Sequence, residues 1–321
     1  MRIKRRHLGM DVIEWVNREA AIGPGMGDIH YLVANKTTDV PYLKLAEEGV
    51  RSDRIHSDLS TAEAALTSGQ QDTLMVLPGS HSLSAALTID GNLNRFLGTT
   101  PGKFNMRSRI GMSTTFTPMI TVSGYGNAFS NIYTMHGTAA GDYIGWLISG
   151  ARNAFNCMHF GGPMNAAQGG HASYVGVSVT GSENYFNECV FGTNTIPRDE
   201  ITPNLKLGAG TITVIDNSIF TCALTDTDPV FIEIDNTSGY TQLYLRNCMF
   251  QAFSENQANK VAVAFKFNGG SSCDVVLDSR CSFSGVTKLA ASASMKYIWA
   301  PTVFAATADE LNLININSAT Y

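Results

Sequence analysis

Apolar and polar residues alternate in short runs along most of this chain. Val177 and Val179, and again Ile232 and Ile234, put apolar side chains on every second position with Ser, Thr, Glu or Asp around them. A strand sends successive side chains to opposite faces, so these runs predict short β-strands with one buried face. The runs also recur. Five segments end alike: Asn156-Cys-Met-His-Phe160, Asn187-Glu-Cys-Val-Phe191, Asp216-Asn-Ser-Ile-Phe220, Arg246-Asn-Cys-Met-Phe250 and Ser279-Arg-Cys-Ser-Phe283. Their phenylalanines lie 31, 29, 30 and 33 residues apart, and Tyr133, 27 residues before Phe160, is expected to hold the aromatic of a further copy. An imperfect period of about 30 residues predicts a solenoid whose insertions fall in loops.

A second pattern leads into the first: Val122-Ser-Gly124-Tyr-Gly-Asn127-Ala-Phe129, Ile148-Ser-Gly150-Ala-Arg-Asn153-Ala-Phe155 and Val179-Thr-Gly181-Ser-Glu-Asn184-Tyr-Phe186. Asn and Gly supply the bend, because they tolerate left-handed backbone angles and short side-chain to backbone bonds. Propeller blades need about 40 to 50 residues each, and leucine-rich repeats need a Leu ladder with Asn at a fixed spacing. Neither pattern is present. The fold class predicted is all-β, a right-handed parallel β-helix, with the Cys-x-Phe and Asn positions stacked inside as ladders at roughly 4.8 Å.

The segment Ser60-Thr-Ala-Glu63-Ala-Ala-Leu66-Thr-Ser-Gly69, followed by Asp72-Thr-Leu-Met-Val-Leu-Pro-Gly79-Ser-His-Ser-Leu83, resembles the opening of pectate-lyase-like β-helix proteins. The resemblance covers roughly residues 60 to 290 and implies a short helix over the N-terminal end of the coil. Ser60 and Glu63 are expected to form its capping box and Gly69 its stop. A coil needs such a cover, since its end rung exposes an apolar interior and an unpaired edge. Three regions follow: 1–59, an N-terminal arm or docking region with a short helix; 60–290, the β-helix; and 291–321, a C-terminal segment. In that last segment the strand Leu311–Asn317 either closes the coil or pairs with another subunit.

Composition narrows the picture. The 321 residues are 44% hydrophobic and 15% charged, enough for a large core. A net charge of −5 argues against general nucleic-acid binding, and no apolar run is long enough for a membrane span. The basic start, Met1-Arg-Ile-Lys-Arg-Arg-His7, lacks the apolar core of a signal peptide. The six cysteines lack metal-like spacing and read as small packing residues and thiols. The core ladder is expected to comprise Phe160, Cys189, Phe191, Phe220, Cys248, Phe250, Cys281 and Phe283.

Within the arm, Asp11 and Glu14 suit a helix start, and Leu8, Val12, Ile13 and Val16 share one helical face beside Trp15. Either the extension folds back over the coil, or Arg2, Lys4, Arg5 and Arg6 with Val12, Ile13, Trp15 and Val16 dock on a larger assembly.

Enzymes of the resembled superfamily use clustered outer-face acids, and Asp226-Thr-Asp228 and Glu233-Ile-Asp235 could each put two carboxylates on one strand face. The superfamily's hydrolase signature of Asp-Asp, Gly-His and Arg-x-Lys is incomplete, with Gly170-His171 standing alone, and no cofactor or metal motif appears. The expectation is therefore a chain that is not an enzyme. The resemblance extends to virion proteins of tailed bacteriophages. It implies a homotrimeric capsid decoration or cement protein, assembled in the host cytoplasm, whose arm binds a major capsid protein or another virion protein. Two alternatives stay open. One is a carbohydrate-active β-helix using Asp226, Asp228, Glu233 or Asp235, and the other is an adhesin stacking a host-surface glycan on Tyr125, Tyr185 or Tyr240.

Overall fold

The computed structural model describes residues 27–300 except 101–107, 113–115, 137–142, 165–166, 168–169, 199–201, 236, 255–258, 270–272, 292–293 and 295–297, together with 314–315. The residues expected to dock the arm, Arg2 to Val16, lie outside these described residues.

The chain winds through three sheets of 11, 10 and 7 strands, parallel but for one end strand of the second, and Val261–Val263 pairs with Val286–Lys288 in a separate two-stranded sheet. A typical turn adds one strand to the first sheet, one to the second and one to the third, as in Ala154–Asn156, His159–Pro163 and Val175–Val179. Residues one turn apart pair in register: Phe155 with Phe186, Phe191 with Phe220, Val177 with Leu205. The architecture is a parallel β-helix, as the periodicity predicts.

Its interior is a set of like-on-like stacks. Phe191, Phe220, Phe250 and Phe283 stack with ring centroids 4.5, 4.7 and 4.6 Å apart, and Phe96, Phe129, Phe155 and Phe186 form a second column at 4.8, 4.9 and 4.7 Å. All eight expected ladder residues are buried, and none of the six cysteines forms a disulfide. Tyr133 departs from expectation. Thr134, not Tyr133, is level with Phe160, so Tyr133 faces outward beside His159. A one-residue offset sends a strand residue to the other face. Trp146 fills the room left by Thr134, its indole N–H donating to Thr134 Oγ1 at 3.0 Å.

An asparagine ladder lines the corner between the third and first sheets. The backbone N–H groups of Asn94, Asn127 and Asn153 donate to the Oδ1 of Asn127, Asn153 and Asn184 at 2.9, 2.9 and 3.0 Å. In return Asn153 Nδ2 donates to Gly124 O at 3.1 Å and Asn184 Nδ2 to Gly150 O at 3.0 Å. The side-chain amides of Asn153 and Asn184 thereby each satisfy an N–H and a carbonyl of the preceding turn. Here Gly150 is required: a Cβ on it would sit 1.9 Å from Gly124 O.

The first sheet begins before residue 60, since Ile29–Leu32 pairs with both Ile55–His56 and Thr73–Val76. Helix α1 (Val40–Glu47) supplies Leu45 to cover the outward Tyr31, Met75 and Leu97. Helix α2 (Leu59–Ala64) caps the coil with buried Leu59 and Ala62. Its cap differs from the expected Ser60–Glu63 box: Asp58 precedes the helix and its Oδ1 accepts from Thr61 N at 2.8 Å. A carboxylate there satisfies an orphan amide and meets the helix dipole. At the far end Ile314–Asn315 pairs antiparallel with Ser282–Ser284.

Candidate functional site

The expected acids do not gather. Asp226 and Asp228 lie exposed between Ile219–Leu224 and Val230–Asp235, where Asp226 Oδ1 accepts from the Thr227 backbone at 2.5 Å. Glu233, almost buried on the outer face of the third sheet, is neutralised by Lys206 at 2.6 Å and Lys266 at 3.2 Å. These three residues are level on successive turns. Asp235 accepts from Thr237 Oγ1 at 2.8 Å and Thr237 N at 3.1 Å, and these bonds hold its carboxyl below the usual range. Each of these acids except Asp228 has a structural partner. Two of them, Asp226 and Asp235, cap turns, and Glu233 sits at the centre of an ion ladder.

The outer face of the first sheet is different. One file of outward residues runs Ala128, Ala154, Tyr185, Val214, Tyr244, Val276 and Trp299, each level with the next. Large aromatics thus recur on every second turn, roughly 10 Å apart at the interstrand spacing. The adjacent file runs Ser130, Asn156, Asn187, Asp216 and Arg246.

The two files meet in a polar cluster. Tyr185 Oη donates to Asp216 Oδ2 at 2.9 Å, while Arg246 donates from Nε to Oδ1 at 2.6 Å and from Nη2 to Oδ2 at 2.5 Å. Burial and this hydrogen bond push Tyr185 up to about 12, so it remains a donor. The Arg246 side chain is about half exposed and offers its other face to solvent. A second cluster lies nearer the C-terminal end. Asp274 accepts from Trp299 Nε1 at 2.8 Å and from Tyr240 Oη. Trp299 and Tyr240 are 61% and 50% exposed, among the most exposed large apolar side chains described. Rings with one polar edge held by a carboxylate form a rigid, amphipathic surface.

Of the adhesin candidates, Tyr185 and Tyr240 fall on this face, and Tyr125 is exposed in the turn that leads to the first sheet. Asp216, Tyr244, Arg246, Asp274 and Trp299 were not predicted. For Asp216 and Arg246 the signal is present: the first position of the repeated ending changes from Asn156 and Asn187 to Asp216 and Arg246 while the Phe stays constant. In a repeat the constant slots point inward and the variable outward slots are free to carry function. Among the described residues no group of three or more His, Cys, Asp or Glu is placed to hold a metal ion, and no helix is long and apolar enough to cross a membrane.

No protein-family model matches the chain, and no curated protein is similar to it. Solved structures do match. A pectin methylesterase in complex with a hexasaccharide is 10% identical, with a TM-score of 0.54 over 84% of this chain and 80% of that one. Pectin methylesterase PemA from Erwinia chrysanthemi is 10% identical, with a TM-score of 0.53 over 85% of this chain and 80% of that one. ORF18 of Geobacillus virus E2 matches more loosely, 12% identical with a TM-score of 0.43 over 72% and 55%. The fold is that of pectate-lyase-like right-handed parallel β-helices. These likenesses also correct the expectation that the chain is not an enzyme, because the pectin methylesterases that share its coil are enzymes. An incomplete hydrolase signature does not separate this chain from enzymes of its fold.

Proposed function

We propose that this chain is a carbohydrate-active β-helix that holds an extended saccharide along the outer face of the first sheet. The observation that carries this reading is the alternation of Tyr185, Tyr244 and Trp299 on every second turn, flanked by Asp216, Arg246 and Asp274. Aromatic rings stack on the apolar faces of sugar rings, and fixed carboxylate and guanidinium groups hydrogen-bond hydroxyls. A rigid sheet holds both in place without paying ordering entropy on binding. Arg246, about half exposed, is the group assigned to contact the substrate, with Asp216 fixing its orientation and Tyr185 bracing the carboxylate. The hexasaccharide bound by a pectin methylesterase of the same fold supports a ligand of that class.

Binding to pectins and to bacterial capsular polysaccharides is measured by calorimetry, and turnover by released methanol and new reducing ends. Wild-type binding that weakens at least tenfold in Tyr244→Ala and turnover that disappears in Asp216→Asn are expected. Binding unchanged in Tyr244→Ala and in Trp299→Ala defeats the reading.

A role in capsid decoration, through docking of residues 1–25 on a major capsid protein and trimerisation of the coil, is compatible with such a face. The arm would hold the particle while the coil meets a glycan. Deleting residues 1–25 is expected to leave a folded coil that no longer sediments with particles, and retained binding would end this proposal.

A further inference from the structure

The corner between the second and third sheets holds a polar cluster that neither the ladders nor the saccharide face uses. Arg198, on the short strand Pro197–Arg198, is 2% exposed. Its Nη1 donates to Thr202 O at 3.0 Å, its Nη2 to Asn204 Oδ1 at 2.8 Å, and its Cζ lies 5.8 Å from the centre of the Tyr174 ring. These partners are neutral. Asn204 is already committed, since its Nδ2 donates to Phe191 O at 2.8 Å and Thr221 O at 3.0 Å. Tyr174 in turn stacks on His136, with centroids 5.3 Å apart and planes 5° from parallel.

Three facts do not balance. Arg198 is a permanent buried cation with no carboxylate partner among the described residues, and an unpaired buried charge is among the costliest features a fold can carry. Tyr174 Oη is buried without a hydrogen-bond partner, and so is His136 Nε2. Burial keeps His136 neutral, lowering it to about 3, and raises the Tyr174 phenol, so neither supplies the missing negative charge. Cys222 is also buried here, and burial raises its thiol against the opposing pull of Arg198. The backbone is shaped around the cluster. Gly162 and Gly192 adopt φ of +76° and +94°, and a Cβ on them would come 2.9 Å from Tyr174 Oη and 1.9 Å from Asn204 Nδ2.

We infer that this corner binds a small monovalent anion, of the size of a halide or formate, against Arg198. The remaining guanidinium N–H groups, the Tyr174 hydroxyl and a neutral His136 bearing its proton on Nε2 are the donors. Guanidinium has no acceptor, and phenol and imidazole can each donate, so the set selects an anion over a metal ion or a neutral ligand. Since even a Cβ at Gly162 or Gly192 would crowd Tyr174 Oη or Asn204 Nδ2, the corner favours a small anion over a large one.

Two measurements test the site. Crystals soaked in sodium bromide are examined for anomalous scattering at the bromine edge, and thermal unfolding is followed in bromide, formate or gluconate at one ionic strength. A bromide peak beside Arg198 is expected, with a Tm in bromide or formate at least about 2 °C above that in gluconate. Both should weaken in Tyr174→Phe and vanish in Arg198→Met. A wild-type protein with neither a peak nor an anion-specific shift overturns the inference, and so does an equal shift in Arg198→Met. Should Arg198→Met not fold, Tyr174→Phe decides: a weakened anion effect supports the site and an unaltered one overturns it.

Discussion

Asp216 and Arg246 stand level on neighbouring turns and meet in a two-pronged ion pair on the outer face of the first sheet. The carboxylate is nearly buried and the guanidinium about half exposed, so the pair fixes the acid while leaving the base open to a ligand.

Replacing Asp216 by Asn removes the charge and keeps the shape. Because Arg246 is solvated, the stability loss should be only about 1 kcal/mol, read as a small drop in the urea midpoint. Saccharide binding should fall much further. A large stability loss with unchanged binding would assign the pair to the scaffold alone.

Asn153 lies in the middle of the asparagine ladder. Asn153→Ala orphans the Asn127 amide and the Gly124 carbonyl inside the coil, at a cost of roughly 2 to 4 kcal/mol. Asn153→Asp still accepts from Asn127 but cannot donate to Gly124, so it should fall between Ala and wild type. Chemical denaturation orders the three, and Asp as damaging as Ala would contradict the ladder.

Phe220 is fully buried between Phe191 and Phe250. Phe220→Ala opens a cavity that the flanking turns cannot fill without losing register, at a cost of about 3 to 5 kcal/mol. Phe220→Leu should cost clearly less, and equal losses would argue that stacking rather than volume governs the column.

Acidification should act on the N-terminal end of the coil as well as on buried His136. Arg54 Nη1 donates to His30 Nε2 at 2.9 Å, so His30 carries its proton on Nδ1 and donates to His56 Nε2 at 3.0 Å. Neither ring can take a second proton without breaking this chain. Burial is the main cause that lowers His30, His56 and His81, with Arg54 adding to it at His30 and Asp28, Asp53 and Asp72 opposing it there; His30, Lys36 and Arg54 lower His56 further, against Asp53. Below pH 6.5 the unfolded chain therefore binds protons that the folded chain refuses. The stability these histidines contribute is complete above pH 6.5 and is lost as pH falls through their depressed folded values.

Glu63 acts in the opposite direction. Burial, with Asp90 adding to it, raises Glu63 to about 7. The protonated acid suits the fold, so stability falls as pH rises from about 4.5 through 7. Glu63→Gln should raise Tm at pH 8 and make the loss between pH 6.5 and 5 steeper, because only the histidine effect remains. A Tm profile of Glu63→Gln that is flat in that window would remove the histidine argument.

Much of this architecture is legible in the sequence because identical interior slots recur, and the Phe and Asn columns are visible as letters. Tyr133 shows the limit. An aromatic near the right period looked like a ladder member, yet the strand register puts Thr134 in the slot, and only pairing with His159 and Phe160 reveals it. The cap of α2 lies two residues before the one the sequence predicts for a related reason: Asp58 and Ser60 are both good caps, and packing of Leu59 and Ala62 decides between them. The saccharide face is hidden because its aromatics lie 55 to 59 residues apart, on every second turn, with Val214 and Val276 between them. Tyr185, Tyr244 and Trp299 become neighbours in a file only when the turns are stacked.

That stacking also makes the coil a ruler. Every turn advances the surface by one interstrand step, so inserting a whole turn between Tyr185 and Trp299 lengthens the aromatic face by one increment and leaves each inner column intact. Inserting half a turn would bring unlike columns together and fail. Lineages of such a chain can thus retune the length of polymer they grip by duplication or loss of turns, a change in count rather than in chemistry.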